Sequence, residues 1–512
     1  MPSITDNNKR IAKNAILLYL RMFFMMAISL YTSRIILATL GIEDYGLYNV
    51  IGGIIGLFSF ISGTMGAGTQ RYLNFSLGEG DAMQLQNVFN TCLNIHTILS
   101  IFIVLLAETI GLWFLYTQMN IPENRMTAAF WVYQFSIFTT IIMVLSVPYN
   151  AIIIAHEKMN AFAYISIIEA SLKLAIVYLL LIGNLDKLIL YSFLMFLVQG
   201  SIRIIYGIYC KKNFPETKFK LTKDKKLIKE MLSFTGWNLW GGCAYIAFTQ
   251  GINILLNIFF GASINAARGI AVQVQNTVLQ FSTNFQTAIN PQIIKSYAKK
   301  DYTYMHELIY NGSKYTFFLL LLITLPIFIE TPLLLNIWLK DVPNYTIPFL
   351  RIILCITIID SVSNPIMISA TATGNVKLYQ SVIGGILLLI VPISYTVLKL
   401  GGSPISVFIV HFTICIIAFW VRIYIIRTMI NLSIKKYFQK VILKIILVGA
   451  TSIIIPLIIT YIGNNMPTLI HLIVVCSSCI LSSLIFIYTL GLSSNEKTFI
   501  TNKIKIFLKQ KR

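Results

Sequence analysis

The fold is decided by one stretch, Gly261–Asp301, which reads GASINAARGIAVQVQNTVLQFSTNFQTAINPQIIKSYAKKD. Alternating steps of four and three residues stay on one face of a helix. From Gly269, such steps meet in turn Gln273, Asn276, Gln280, Thr283, Thr287 and Asn290. The residues between them are apolar enough for a bilayer, yet amides and hydroxyls facing lipid without partners are costly. The stripe is therefore predicted to line a water-filled or protein-lined cavity.

The same stretch has a counterpart 220 positions earlier in the chain. Three identical pairs share this offset, namely Gly41 with Gly261, Ser76 with Ser296, and Asp81 with Asp301. In each copy, a short glycine-led loop precedes a helix, which is followed by a loop that carries the aspartate. The sequence therefore predicts an internal duplication, with a period far longer than that of solenoid repeats.

Composition places the chain in the membrane. Its 512 residues are 57% hydrophobic and 12% charged, the mean hydropathy is +0.77, and the apolar runs approach the length that crosses a bilayer. We predict an all-α polytopic protein with about fourteen transmembrane helices, arranged as two six-helix lobes in pseudo-two-fold repeat (1–215 and 216–430) plus two C-terminal helices and a basic tail (431–512). The predicted spans are 12–38, 46–68, 88–116, 127–154, 161–183, 188–210, 231–259, 266–290, 314–338, 346–369, 376–399, 404–427, 441–462 and 468–491.

The distribution of basic residues predicts the orientation. Most of the 40 Lys and Arg lie in loops that are cytoplasmic if the N-terminus is cytoplasmic, and positive residues favour that side. The opposite loops carry only Arg125, Lys187, Lys340 and Lys399. Both termini are therefore predicted to be cytoplasmic. The formal charge of +21 is explained by anionic lipid head groups and does not indicate nucleic acid.

The sequence offers little for catalysis or for metal binding. The seven cysteines and five histidines are scattered, without the spacing of a redox or zinc motif. Glu43 and Asp44 are adjacent in the first external loop, as in some membrane glycosyltransferases, but Gly41 and Gly46 bracket them and favour a helix-terminus turn. The external loops are also short for a polymerase. No catalytic residue, cofactor or metal is predicted.

Charges inside predicted spans are candidate functional residues. Glu169 and Lys173 are four apart and are predicted to pair on one helical face. Arg203, Arg351 and Arg422 lie near span ends and are predicted to extend to the membrane surface. The remaining cations are Arg21, Arg34 and Arg268. Arginine suits phosphate, because its planar fork donates two parallel hydrogen bonds and stays charged.

Several short motifs resemble the polysaccharide flippases, the Wzx-type O-antigen transporters. They are Ser33-Arg34-Ile35-Ile36-Leu37, Leu40-Gly41, Tyr45-Gly46-Leu47-Tyr48, Pro148-Tyr149-Asn150, His156-Glu157-Lys158 and Ala372-Thr373-Gly374-Asn375. The resemblance spans essentially the whole chain. It implies membership of the superfamily that also holds drug extruders, with two six-helix lobes around a cavity that opens alternately to each side. In the flippases, it implies a cationic cavity for an undecaprenyl-pyrophosphate-linked oligosaccharide.

The residues and the resemblance together predict an anionic, sugar-bearing substrate. Many drug extruders of the superfamily carry an acid in the first helix, whereas residues 12–38 contain only Arg21 and Arg34 as charges besides Lys13 at the start of the span. The predicted substrate-binding residues are Arg21, Arg34, Arg268, Gln273, Asn276, Gln280, Asn284 and Asn253. Asn238, Tyr245, Thr249 and Asn257 are further candidate sugar contacts, and helix-to-helix hydrogen bonding is their alternative role.

We accordingly predict a flippase of the bacterial inner membrane that uses no cofactor, with possible coupling to a gradient of H⁺ or Na⁺. The expected partners are the lipid-linked oligosaccharide, membrane lipids, and a polysaccharide polymerase with its chain-length regulator. A cation-coupled drug or toxin extruder is the main alternative. A membrane-embedded polymerase or glycosyltransferase is a weaker one.

Overall fold

The computed structural model describes residues 4–117, 121–180, 186–218, 220, 224–339, 342–463, 466–494 and 496–498. Within these ranges, only the backbone is described for residues 4–9, 12, 30, 33–34, 37–38, 42–43, 45–46, 49–50, 52–62 and 262–263. The described chain is helical and contains no strand, so the all-helical prediction is confirmed. Its α-helices are α1 Ile4–Glu79, α2 Ala82–Leu106, α3 Leu112–Thr117, α4 Met126–Ala155, α5 Met159–Leu179, α6 Lys187–Asn213, α7 Lys225–Phe260, α8 Ala262–Ala298, α9 Tyr302–Ile329, α10 Thr331–Trp338, α11 Thr346–Thr373, α12 Lys377–Leu388, α13 Ile390–Lys399, α14 Pro404–Ile430, α15 Ile434–Tyr437, α16 Leu443–Ile462 and α17 Thr468–Phe486.

Eleven helical stretches of the described chain are long and apolar enough to cross a membrane. The three other predicted spans fall on α1, on either side of Gly41, and on α8, whose polar residues lower its hydropathy. The count of fourteen stays a prediction. Turns of π-helix occur within the long stretches, one of them at Ala107–Gly111. There the Ala107 carbonyl accepts the backbone bond from Leu112 and a second hydrogen bond, over 2.7 Å, from the Tyr133 hydroxyl.

The backbone repeats its conformations at the 220-residue offset. Gly41 and Gly261 both have positive φ, 81° and 80°, and both kink the chain between two helical segments. Further on, Gly80 and Lys300 both adopt left-handed geometry, with φ of 81° and 59°. Left-handed residues commonly end helices, and here they end α1 and α8. Equivalent kinks and equivalent stops support the predicted duplication.

The chain divides into two compact units. The first unit comprises Met1–Leu239, Thr287–Asp301 and Gly374–Val376, and the second comprises Trp240–Gln286, Tyr302–Thr373 and Lys377–Arg512. The predicted lobe boundaries at 215 and 430 stay predictions. In the first unit, an apolar core of α1, α2, α4, α5 and α6 side chains surrounds the fully buried Leu73, Phe89 and Ile152.

The two C-terminal helices pack on α9 within the second unit. Lys314 of α9 is buried, and its ammonium lies 2.8 Å from Glu496, which follows α17. At the opposite end of these helices, His471 of α17 lies 3.2 Å from the buried Glu330. Polar contacts at both ends therefore fasten α17 to the second unit.

Candidate functional site

The first unit holds a charged cluster within its predicted membrane spans, on α1, α5 and α6. Glu169 of α5 accepts a hydrogen bond from Lys173 over 2.6 Å, which confirms the predicted pair, and another from Gln199 of α6 over 3.0 Å. The Arg21 guanidinium lies 4.3 Å from the centre of the Phe162 ring on the same helix as Glu169. The cluster therefore contains two cations and one carboxylate, and it carries a net positive charge.

A cavity of about 280 Å³ opens beside this cluster. Lys173 lines it, and so do Tyr48 and Tyr191, whose rings meet edge to face with their centres 4.8 Å apart. Thr32 is 8% exposed, and its hydroxyl oxygen has no hydrogen-bond partner among the described residues. The remaining lining residues are Met25, Ile28, Ser29, Ile36, Ala170 and Met195. The cavity therefore combines apolar walls, two aromatic rings and polar groups able to hold a ligand.

Arg268 of α8 is one of the buried cations of the second unit. It is 8% exposed, and its guanidinium donates to the Asn253 side-chain oxygen and, over 3.1 Å, to the Thr249 carbonyl. Asn253 in turn donates to Gln250 over 3.1 Å. The acceptors on Arg268 are neutral, so these bonds orient the guanidinium without cancelling its charge.

Asp360 of α11 lies 3.4 Å from Arg422 of α14. The prediction that Arg422 extends to the membrane surface is wrong, because it is 5% exposed and meets this carboxylate. Arg351 does reach backbone carbonyls near a helix end, donating to Phe328 over 3.0 Å. A carboxylate on another helix explains why Arg422 stays inside.

The polar residues of α8 lie on two faces. Gln273, Asn276, Gln280 and Thr283 of the predicted stripe are exposed, and Asn284 is half-buried with its amide on the Gln280 carbonyl at 2.8 Å. The other polar face packs on α11 through bonds of 2.9 to 3.2 Å, which are Gln275 to Thr357, Ser282 to Ser361 and Gln286 to the Ser361 carbonyl. This second face has the same helical spacing as the stripe but begins two positions later, at Gln275, so the count that starts from Gly269 does not meet it. That the exposed stripe contacts substrate stays a prediction.

Other predicted residues are placed elsewhere or fall outside the description. The Arg34 side chain lies outside the described residues, as does that of Glu43. Asp44 binds Arg125, which also contacts Asp186 at 2.6 Å. Arg125 thereby joins the segment after the α1 kink to the start of α6. Asp44 thus has a structural role next to the kink, as predicted for a helix-terminus turn.

Two charged residues that the sequence analysis did not single out as sites are buried in the first unit. Arg71 is 7% exposed, and its guanidinium lies 4.5 Å and 4.8 Å from the ring centres of Tyr72 and Phe75. Glu157, which the sequence analysis named only within the motif His156-Glu157-Lys158, is 5% exposed. Neither had a sequence signal beyond its charge, because charges near predicted span ends usually reach solvent.

The comparisons with known proteins place the fold. No protein-family model matches the chain, and no curated protein matches it by sequence. A MATE protein solved in the bent conformation is similar, with a TM-score of 0.72, 13% identity, and coverage of 83% of this chain and 96% of that one. An outward-facing multidrug-resistance MATE family transporter of the MOP superfamily is also similar, with a TM-score of 0.70, 14% identity, and coverage of 83% of this chain and 96% of that one.

A third solved structure, a MOP superfamily transporter from Pyrococcus furiosus described as having a binding pocket of reversed polarity, gives the same four values of 0.70, 14%, 83% and 96%. The chain therefore has the fold of the MATE transporters of the MOP superfamily. At these identities, the similarity concerns the fold alone.

Proposed function

We propose that this protein is a transporter, not an enzyme, and that it flips an anionic, lipid-linked oligosaccharide across the membrane by alternating access. The observation that carries the proposal is Arg268, a buried guanidinium in the second unit whose acceptors are neutral. A buried charge without a counterion is costly, and a pyrophosphate would offset that cost by supplying oxygens for the guanidinium fork.

The first unit supports the same substrate class. Glu169 is paired with Lys173, and Arg21 adds a second cation beside Phe162 of the same helix, so this cluster also retains positive charge. The neighbouring cavity offers the rings of Tyr48 and Tyr191 and the hydroxyl of Thr32. Sugars present apolar faces and hydroxyl groups, which aromatic rings and hydrogen-bonding side chains complement.

A cation-coupled drug extruder is the second candidate, and the solved MATE structures favour it. Its substrate or coupling ion would need an available carboxylate in the membrane. Glu169 and Asp360 are paired with Lys173 and Arg422, which favours an anionic substrate. Glu108 accepts a hydrogen bond of 3.3 Å from the Gln134 amide and is in no ion pair among the described residues, so it is the carboxylate that the second candidate would use. Coupling to H⁺ or Na⁺ remains part of the proposal, as do the polysaccharide polymerase and chain-length regulator as partners.

We further propose that the protein lies in the bacterial inner membrane with both termini in the cytoplasm. The motivation is the concentration of Lys and Arg in alternate loops. Reporter fusions after residues 220 and 512 should both give cytoplasmic signals. A periplasmic signal at either position would contradict this orientation.

The decisive test of the proposed function is deletion of the gene in its native host. A flippase deletion should lose surface polysaccharide and accumulate the lipid-linked intermediate on the inner leaflet, and the wild-type gene should restore both. Drug susceptibility measured in parallel tests the second candidate. Unchanged polysaccharide with increased drug sensitivity would overturn the flippase and favour the extruder.

A further inference from the structure

Glu157 occupies an unusual position at the turn between α4 and α5. Its φ of 58° is left-handed, a conformation that non-glycine residues adopt rarely. Hydrogen bonds of 2.9 Å and 3.0 Å, from Glu157 and Lys158 to the carbonyls of Ile154 and Ile153, close the end of α4. This turn aims the carboxylate into the first unit, where the side chain is 1% exposed.

Three side chains from distant parts of the sequence converge on this carboxylate, two through hydrogen bonds and one through an ion pair. One oxygen accepts hydrogen bonds of 2.6 Å from both Gln292 and Lys295, at the end of α8. The other oxygen lies 2.8 Å from the Arg10 side chain of α1. All of these residues belong to the first unit. A single buried acid therefore holds together the start of α1, the α4–α5 turn and the end of α8.

The duplicated part of the chain makes a matching contact. Gly374, at the α11–α12 turn that corresponds to the α4–α5 turn, has a φ of 80° and also belongs to the first unit. A β-carbon on Gly374 would lie 2.5 Å from the Arg71 guanidinium. The second helical segment of each repeat thus meets a turn of the other repeat, through Lys295 with Glu157 and through Arg71 with Gly374.

We propose that Glu157 is a conformational lock, whose carboxylate holds Arg10, Gln292 and Lys295 in this state and releases them in another state of the transport cycle. A buried ion pair adds little stability relative to apolar packing, because desolvation offsets its attraction. Such a contact contributes little to the permanent stability of the fold, but it suits a junction that opens and closes again. The lock rests on the proposed transport function, although not on the identity of the substrate.

The test uses the full-length protein in nanodiscs, with its native cysteines replaced and a single cysteine at Ser296. Ser296 is 4% exposed and adjoins Lys295, so a bulky maleimide should label it only when the lock opens. If Glu157→Gln raises the open fraction from roughly 1% to roughly 10%, labelling should be about tenfold faster. Glu307→Gln is the matched control, because its partner Lys440 is exposed, and labelling should not change.

Two further variants make the outcome decisive. Gln292→Leu leaves both ionic partners in place and should raise the labelling rate about twofold, which keeps the test available if Glu157→Gln does not fold. Lys295→Met should raise it as Glu157→Gln does, and the double variant should add nothing, because both changes break one contact. Unchanged labelling in folded Glu157→Gln, or in Gln292→Leu if that variant alone folds, would overturn the lock. The labelling rate and the deletion phenotype are measured independently. If Glu157→Gln speeds labelling but deletion of the gene leaves surface polysaccharide normal, the flippase is refuted and the lock is not.

Discussion

Gly78 and Ala298 lie against each other, and they occupy equivalent positions of the two repeats, 220 residues apart. A β-carbon on Gly78 would lie 2.6 Å from the Ala298 β-carbon and 3.0 Å from the Lys295 carbonyl oxygen. Nearby, the ring centres of Phe75 and Tyr297 are 6.5 Å apart. The ends of α1 and α8 therefore meet, and the contact leaves no space for a side chain at position 78.

This contact predicts that Gly78→Ala is destabilising. The added methyl group must push α1 and α8 apart, and overpacking typically costs about 1–3 kcal/mol. Gly236→Ala in α7 is the control, since a β-carbon there meets no atom within 4 Å, and alanine should stabilise that helix by about 0.5–1 kcal/mol. Thermal unfolding in detergent measures both. A Gly78→Ala protein as stable as Gly236→Ala would contradict the contact.

Gly374→Ala should lower thermal stability more than Gly401→Ala does. Both glycines have positive φ, 80° and 88°, so alanine strains the backbone at either site by about 1–2 kcal/mol. Only at Gly374 would the methyl group also displace the buried Arg71 guanidinium, since nothing lies within 4 Å of a β-carbon at Gly401. Equal losses in the two variants would show that Arg71 adjusts freely.

Arg268 should be required for transport in a way that depends on its shape. Arg268→Gln removes the charge, and a loss of about 2–3 kcal/mol of substrate interaction lowers transport roughly a hundredfold at limiting substrate. Arg268→Lys should restore only part of it, because lysine keeps the charge and loses the fork. Arg351→Gln, which removes an arginine bonded to a helix-end carbonyl, should be mild. Membrane levels of each variant must be measured alongside, and full activity of Arg268→Gln would remove this residue from the site.

Glu496→Ala should destabilise the protein by about 3–5 kcal/mol, because it leaves the buried Lys314 ammonium without its partner. Adding Lys314→Met should recover most of the loss. The exposed pair of Glu307 and Lys440 provides the control, and Glu307→Ala should cost no more than about 1 kcal/mol. The two acids can be compared in one thermal-unfolding series. Similar losses for both would mean that Lys314 reaches water without Glu496.

Asp186 should give the stability a dependence on pH. Burial alone would raise its pKa, but hydrogen bonds from Arg125 and from the first backbone amides of α6 lower the pKa below its ordinary value of 3.8. The stabilisation is therefore complete above that value and is lost as the pH falls through the lower pKa of the folded state. Asp186→Asn should be destabilising at pH 7, and the difference from wild type should shrink on acidification.

Asp224 supplies the control for this pH effect. It caps α7 through two backbone amides at 3.0 Å, as Asp186 caps α6. Asparagine caps a helix about as well as aspartate, so Asp224→Asn should cost only the interaction of the negative charge with the helix N-terminus, about 0.3–1 kcal/mol. An equal loss in both asparagine variants at pH 7 would show that Arg125 contributes nothing through Asp186.

Features that depend on a local pattern could be predicted from the sequence alone. Hydropathy and helical period predicted an all-helical membrane chain, the fixed offset predicted the repeat seen at Gly41 and Gly261, and a four-residue spacing predicted the bond between Glu169 and Lys173. Each of these follows from the geometry of a single helix or from the presence of two copies.

Only the tertiary structure decided which distant charges meet. Arg422 and Asp360 are 62 residues apart, and the sequence indicated a surface position for Arg422. Glu157 and Lys295 are 138 residues apart, and no spacing rule connects a turn with the end of a helix that far along the chain. Whether a charge is neutralised, and so whether it is free for a ligand, depends on helices packed side by side. Helical periodicity carries no information about that packing.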